Sequence, residues 1–234
     1  MEISILRSGL VDHSTMAQSM KDLQQKRIAG EIQDTLIFVE HPEVVTIGPK
    51  AVRDGVSVQG YPTSNTDRGG GITWHGPGQL VVYPIVKWNI EEQSVRGIIG
   101  KLEDWAIEAL SDCGIAAYKD EAMQGVWVDG HKICSIGLSF LHWVSRHGMS
   151  INIDTPGSRV EELEGCGMKP GIHTSLARLG YVSDTEGNKI DLGRIESGLL
   201  KHCEKHLGRS PGEPGECGVK RIPCSRGTRN KLCY

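Results

Sequence analysis

No run of apolar residues in this 234-residue chain approaches the roughly 18 needed to cross a bilayer, which excludes a membrane-spanning helix. Met1 to Arg7 lacks a charged start followed by an apolar stretch, so no secretory signal is expected, and no Arg-rich, acid-poor transit peptide is evident. There is no basic excess: 26 Lys and Arg stand against 29 Asp and Glu, a net charge of -3. Bulk electrostatics therefore gives no support for nucleic-acid binding. The C-x-x-C knuckle of common zinc sites is absent, and the seven cysteines (Cys113, Cys134, Cys166, Cys203, Cys217, Cys224 and Cys233) are odd in number and irregularly spaced. They read as reduced thiols of a cytoplasmic protein. Neither G-x-G-x-x-G nor G-x-x-x-x-G-K-[ST] occurs, so neither nucleotide fingerprint applies. No internal repeat is visible.

What is present in excess is glycine: thirty of 234 residues, about 13%, against a usual share of about 7%. Excess glycine marks tight turns or close approach of backbone to a ligand. Along the chain, Ile3 to Leu6 alternates as a strand. Met16, Met20, Leu23 and Ile28 fall near helical spacing and predict a helix over 12–29, ended by Gly30. Thr35 to Glu40 and Val44 to Ile47 are β-prone runs, and 50–66 reads as a loop. Leu80 to Val86 predicts a strand buried on both faces. Val95, Ile98, Ile99, Leu102, Ala106, Ala109 and Leu110 form a helical stripe ending near Cys113-Gly114.

Three further strands are predicted at Gly125 to Val128, Lys132 to Phe140 and Met149 to Ile153, the first two joined by a hairpin at Asp129-Gly130. A short element starts at His173 to Leu176, and Asp191 to Leu207 forms a last helix. From Gly208 on there is no apolar period, so 208–234 reads as a loose tail behind a catalytic domain at 1–207. Strands dominate the middle without strict βαβ alternation. That predicts a single α+β domain with a mixed or antiparallel sheet and flanking helices.

Three segments could carry chemistry. In Arg68-Gly69-Gly70-Gly71-Ile72-Thr73-Trp74-His75-Gly76-Pro77-Gly78-Gln79, consecutive glycines bring no side chain to pack and allow backbone N–H groups to line a ligand. A flexible surface loop is the competing reading. In Gly165-Cys166-Gly167 a thiol has unhindered access, but a free cysteine is only slightly ionised at neutral pH and needs a positive neighbour or a base to act as nucleophile. An inert thiol is the plainer reading, and Cys134 and Cys113 read as core. Lys132 opens the run Ile133 to Leu138; most lysines are solvated, yet one whose stem packs in the core loses proton affinity and becomes a base or thiolate partner. His202 and His206 share one face of the last helix and read as a solvated polar face, and no metal site is expected.

Taken together these segments resemble the lipoyl(octanoyl) transferase family. The carrying residues are the 68–79 block, Lys132-Ile133-Cys134-Ser135-Ile136-Gly137, and Gly165-Cys166-Gly167 with Thr174-Ser175-Leu176 downstream. Glu40-His41-Pro42 ahead of Val45-Thr46-Ile47-Gly48 is also similar to the family's early strand.

The resemblance implies the fold of biotin and lipoate ligase catalytic domains and a ping-pong acyl transfer. Octanoyl-acyl carrier protein is the implied donor. A lysine of a lipoyl domain, in 2-oxoacid dehydrogenases or glycine cleavage H protein, is the implied acceptor. Cys166 would hold the acyl group, and Lys132 would favour its thiolate and then assist deprotonation of the acceptor lysine. The implied acyl pocket comprises Arg68, Gly69, Gly70, Gly71, Ile72, Thr73, Trp74 and His75, with Ser135, Ile136, Gly137, Gly148, Met149 and Ser150. Thioester exchange is nearly isoenergetic, so no ATP and no cofactor are expected; nor is a nucleic-acid or membrane partner. A monomer with a local Lys/Arg patch at the pocket mouth is expected for acidic carrier partners. Alternatives are an ATP-dependent lipoate-protein ligase of the same fold, a non-catalytic carrier-protein binding module, and a cysteine hydrolase.

Overall fold

The computed structural model describes residues 1–121, 123–163 and 171–212. In chain order it holds β1 (Glu2–Leu10), α1 (His13–Ala29), β2 (Thr35–Glu40), β3 (Val44–Ile47), α2 (Pro49–Arg53), β4 (Thr63–Asn65), β5 (Ile72–His75) and β6 (Gln79–Ile85). There follow α3 (Val95–Ser111), β7 (Tyr118–Lys119), β8 (Val126–Val128), β9 (His131–Leu141), β10 (Val144–Asn152), α4 (Leu192–Leu207) and β11 (Ser210–Pro211). A mixed eight-stranded sheet has the order β11-β1-β2-β6-β10-β9-β8-β7, and a three-stranded sheet has the order β4-β3-β5.

The alternation along β6 explains the layering. Leu80 and Val82 face α3 and α4, packing with Leu102, Trp105 and Leu199, whereas Val81, Tyr83 and Ile85 face α1. The run expected to be buried on both faces is buried at every position. On α1 the stripe Met16, Met20 and Leu23 is fully covered, contributing about 1.5–3 kcal/mol per side chain. Gly30 ends the helix in the left-handed region at φ 77°, where a glycine avoids the Cβ clash. Between α3 and α4, a Cβ on Gly198 would lie 3.1 Å from the Ala109 carbonyl oxygen, so glycine sets the close approach of the two helices.

Five expectations need correction. The 50–66 segment contains α2, begun by Pro49 at its first position, and β4, which β3 recruits by parallel backbone pairing. Pairing of that kind leaves no hydrophobic period to read. β1 also runs on from Ile3–Leu6 to Leu10, and the last two segments extend to one continuous hairpin, β9–β10. Its turn is His142-Trp143, both at positive φ (49° and 58°). The Asp129-Gly130 turn obeys the usual chemistry (49° and 80°), but His142-Trp143 does not. Tertiary contacts hold it: the Trp143 carbonyl accepts from the Trp88 N–H at 3.0 Å, and the Trp143 ring lies 5.7 Å from Phe140.

His202 and His206 are not simply solvated. His202 Nε2 lies 2.9 Å from Asp112 Oδ2, and His206 pairs with Glu108, tying α4 to α3.

Nor is the chain loose from Gly208. Ser210 and Pro211 pair in parallel with Glu2 and Ile3. Arg209 is 2% exposed, with Nε 3.1 Å from the fully buried Asp34, which also takes Arg27 Nε at 2.6 Å and the Lys87 N–H at 2.9 Å. Breaking a buried pair from one side leaves an uncompensated charge. Arg209→Ala is therefore expected to lower stability by about 3 kcal/mol, measured as a reduced urea midpoint at unchanged slope. Residues 213–234, with Cys217, Cys224 and Cys233, lie outside the described residues. No described helix is long and apolar enough to cross a membrane.

Candidate active site

The glycine-rich block is held from beneath by Arg68. Its guanidinium is buried, and Nη2 donates to Thr46 Oγ1 at 2.8 Å and to the Thr46 and Gly71 carbonyls at 3.1 Å, while Nη1 donates to the Gly69 carbonyl. The glycines serve close backbone packing. Gly69 N–H donates to the Leu138 carbonyl at 2.9 Å, and Gly48 N–H to the Gly71 carbonyl at 2.8 Å. A Cβ on Gly48 would sit 2.5 Å from the Gly70 oxygen, and one on Gly137 would sit 2.7 Å from the Gly69 oxygen. The block thus joins β3, β5 and β9 at one seam, instead of offering the Gly69 N–H to a ligand.

That seam opens into a cavity between the two sheets. Arg68, Thr73 and His75 line it, together with Ser135–Gly137 and Gly148–Ser150 from the paired strands β9 and β10. The residues grouped by the family resemblance therefore converge, with five exceptions. Gly69, Gly70 and Gly71 stand behind the wall. Ile72 and Trp74 line an adjoining cavity that shares Thr73 and Ser135 with the first and continues to Val160, Leu163 and His173. Trp74 is folded back so closely that a Cβ on Gly76 would lie 2.2 Å from its ring, and its Nε1 donates to Glu43 Oε1 at 3.1 Å.

Sequence reading missed four lining residues: His13, Val81, Tyr83 and His147. His13 stacks on His75 with ring centroids 5.9 Å apart, and His41 meets both rings edge-on at 5.4 and 5.6 Å. The His41 Nδ1 lies 2.6 Å from the Val11 carbonyl, which fixes Nδ1 as donor and leaves Nε2 to accept from the Tyr83 hydroxyl at 2.9 Å. Burial, with the neighbouring His41, His147 and Arg68 adding to it, lowers His13 to about 3. Burial likewise lowers His41 and His147 to about 4 and holds His75 well below its ordinary value. The cavity end is thus lined by neutral rings at neutral pH. His75 Nδ1 bonds Gln79 Oε1 at 2.8 Å, Gln79 Nε2 donates to Asn152 Oδ1 at 2.8 Å, and Asn152 Nδ2 donates to the Thr174 carbonyl at 2.9 Å.

Thr174 belongs to the segment beside Lys132. The Lys132 N–H donates to the Ile172 carbonyl at 2.8 Å, and its carbonyl accepts from Thr174 N–H at 3.2 Å. Lys132 is only 8% exposed, and burial pushes its ammonium below the ordinary lysine range. Its stem lies against Gly125, where a Cβ would come within 2.5 Å of Cε. Burial, with Lys132 adding to it, lowers His173 to about 4. Cys166 lies outside the described residues. Cys134 is fully buried and its thiol is pushed up to about 12 by desolvation, which suits the core role expected of it.

Residues 14–175 match the model of the lipoyl protein ligase A/B catalytic domain. The chain belongs to this family. The match spans Arg68 to Gln79, Lys132, Cys166 and every cavity-lining residue named above except His13, which immediately precedes it. Over 193 residues the chain is 34% identical to a curated relative of the family, the octanoyltransferase of Syntrophobacter fumaroxidans, covering 80% of this chain and 84% of that one. In fold it is similar to lipoate-protein ligase A bound with ATP, at a TM-score of 0.65 and 12% identity over 91% of this chain and 88% of that one. It is also similar to the biotin protein ligase of Aquifex aeolicus in complex with biotin and ATP, at 0.54 and 13% over 88% and 70%. The α+β domain of this family is the one expected from the sequence. The missed histidines carried little signal: His147 directly precedes Gly148, and His13 opens a helix ahead of Ser14, Thr15 and Met16. Neither spacing distinguishes a cavity wall from a surface.

Proposed function

We propose that this protein is an acyltransferase that moves an octanoyl group from octanoyl-acyl carrier protein to a lysine of a lipoyl-carrier domain. The observation that carries the reading is the pair of connected cavities. They run between the two sheets from the neutral imidazoles of His13, His75 and His147 to Leu163 and His173, beside the desolvated Lys132. An uncharged chain is placed beside these neutral rings at lower cost than a charged ligand is, because charge left unpaired there carries a large desolvation cost.

In the first step the Cys166 thiolate attacks the thioester carbonyl, the C–S bond to the carrier breaks, and the carrier leaves as a thiol after taking up a proton. In the second, the acceptor amine, deprotonated with the help of Lys132, attacks the Cys166 thioester; the amide C–N bond forms and the Cys166 thiolate departs. Lipoyl domains of 2-oxoacid dehydrogenases and glycine cleavage H protein are the proposed acceptors, and the proposed working form is a monomer in the cytoplasm. The described residues hold no group of three or more metal-ligating side chains, and the proposed chemistry calls on none.

Intact-protein mass spectrometry after mixing with octanoyl-acyl carrier protein, without ATP, tests this. A hydroxylamine-sensitive octanoyl adduct is expected on the wild type and not on Cys166→Ser, with onward transfer to a lipoyl domain. Lipoyl-domain modification that requires ATP and free octanoate would identify a ligase and overturn the reading, and no modification under either condition would leave a binding module.

A further inference from the structure

At one end the inner cavity shares a lining residue with a separate surface cavity. His147 lines the inner cavity with His13 and His75, and it also lines a separate surface cavity with Lys21, Thr66, Asp67 and Arg146. Its side chain is 5% exposed, whereas Asp67 on the outer side is 55% exposed. Thr73 and Ser135 lie at the opposite end, where the inner cavity passes toward His173 and Lys132. An acyl chain whose reacting carbonyl sits at that end therefore points its terminal methyl at His147.

The backbone shows how this residue is held. His147 lies inside β10 at φ 63°, a left-handed backbone that residues other than glycine adopt uncommonly, histidine, asparagine and aspartate more readily than most. Strain of this kind persists only where surrounding contacts over-determine it. Here Gly148 is pressed against β6, a Cβ there falling 2.0 Å from the Val82 carbonyl oxygen, so the following backbone cannot relax. His147 Nε2 is bonded to Asp67 Oδ1 at 2.8 Å, and Arg146 holds the other oxygen of the same carboxylate. The ring is thus aimed and pinned from the surface side.

Resting on the octanoyl-transfer reading, we propose that His147 is the gate that sets the longest acyl chain the cavity accepts, with Asp67 as its positioning residue. Removing the imidazole takes away the side chain that the two cavities share, which gives the terminal methylenes of a longer chain room toward the surface cavity. One methylene more or less in an apolar pocket changes selectivity by about 10–200-fold, so a pinned ring is a sharp stop.

The test compares kcat/KM for octanoyl-, decanoyl- and dodecanoyl-acyl carrier protein in the wild type, His147→Gly, His147→Asn and Asp67→Ala. Thermal shifts with free octanoate, decanoate and dodecanoate are measured in parallel. Glycine and asparagine both tolerate φ 63°, so neither variant adds strain. The dodecanoyl-to-octanoyl ratio is expected to rise at least about 10-fold in His147→Gly, with smaller rises in His147→Asn and Asp67→Ala. An unchanged ratio in folded variants of an enzyme that does transfer octanoyl overturns the gate and leaves the function standing. If the wild type transfers nothing, the octanoyl-transfer reading fails, and the thermal shifts then decide the gate alone: a preference moved to longer acids supports it, and an unmoved one overturns it.

Discussion

Lys132→Ala is expected to slow octanoyl transfer to a lipoyl domain by about 10²–10⁴-fold, the usual contribution of a positioned general base. The reason is electrostatic. An acceptor lysine is almost entirely protonated at neutral pH, and a solvated lysine would share that handicap. Lys132 does not, because burial makes its charged form costly and moves its deprotonation below the ordinary lysine range. The rate of the second half-reaction should therefore rise with pH and level off below the value of an unperturbed lysine. In Lys132→Ala that limb should disappear. Lys132→Arg should be nearly as slow, since a guanidinium stays charged and the space beside Gly125 is already filled by the lysine stem. Quenched-flow measurement on pre-acylated enzyme separates this from loss of acylation, and far-UV circular dichroism checks the fold. Full turnover in Lys132→Ala would reduce this residue to a buried structural cation.

Acid should unfold the protein well above the carboxylate range. His13, His41 and His147 are all buried and neutral, lowered to about 3, 4 and 4 from 6.5, chiefly by desolvation. Between pH 6.5 and about 4 the unfolded chain binds a proton at each position that the folded chain does not, so stability falls as pH falls. Each site contributes a slope of at most about 1.4 kcal/mol per pH unit, and with His75 and His173 also held low by burial the summed loss over one to two units is of the order of the whole stability of a typical domain. Unfolding near pH 5 is the expected result. Carboxylates such as Glu43, held down by its hydrogen bond from Arg159, add their share only at lower pH. Urea midpoints at pH 8, 6.5 and 5.5 measure the slope, and His41→Gln should remove about a fifth of it. A flat profile down to pH 5 would mean that the cluster accepts protons in the folded state.

The three long helices and most strands were legible because each carries a one-dimensional signal. The Met16–Met20–Leu23 stripe, the Thr35–Glu40 run and the all-apolar Leu80–Val86 segment each repeat at a period that burial enforces. The Asp129-Gly130 turn was legible for the same reason, since its chemistry is local. Elements that exist only by pairing carried no such signal. β4 and β11 are three and two residues long and polar, and they are strands because β3 and β1 present unpaired backbone to them. The His142-Trp143 turn, with both residues at positive φ, is imposed by contacts with Trp88 and Phe140.

Much the same division holds for the site. By itself the sequence determined the α+β class and the main helices, and its run of glycines marked the Arg68–His75 block; the grouping of that block with Ser135–Gly137 and Gly148–Ser150 came from the family resemblance. Only the tertiary structure decided which of these residues face the cavity and which stand behind it. Gly69 and Gly70 turned out to be seam, Trp74 a second wall, and His13 and His147 the cavity end. The physical reason is that lining a cavity depends on the direction of a side chain relative to elements distant in sequence. His147 points inward only because Gly148 is trapped against Val82 and Asp67 holds the ring from outside.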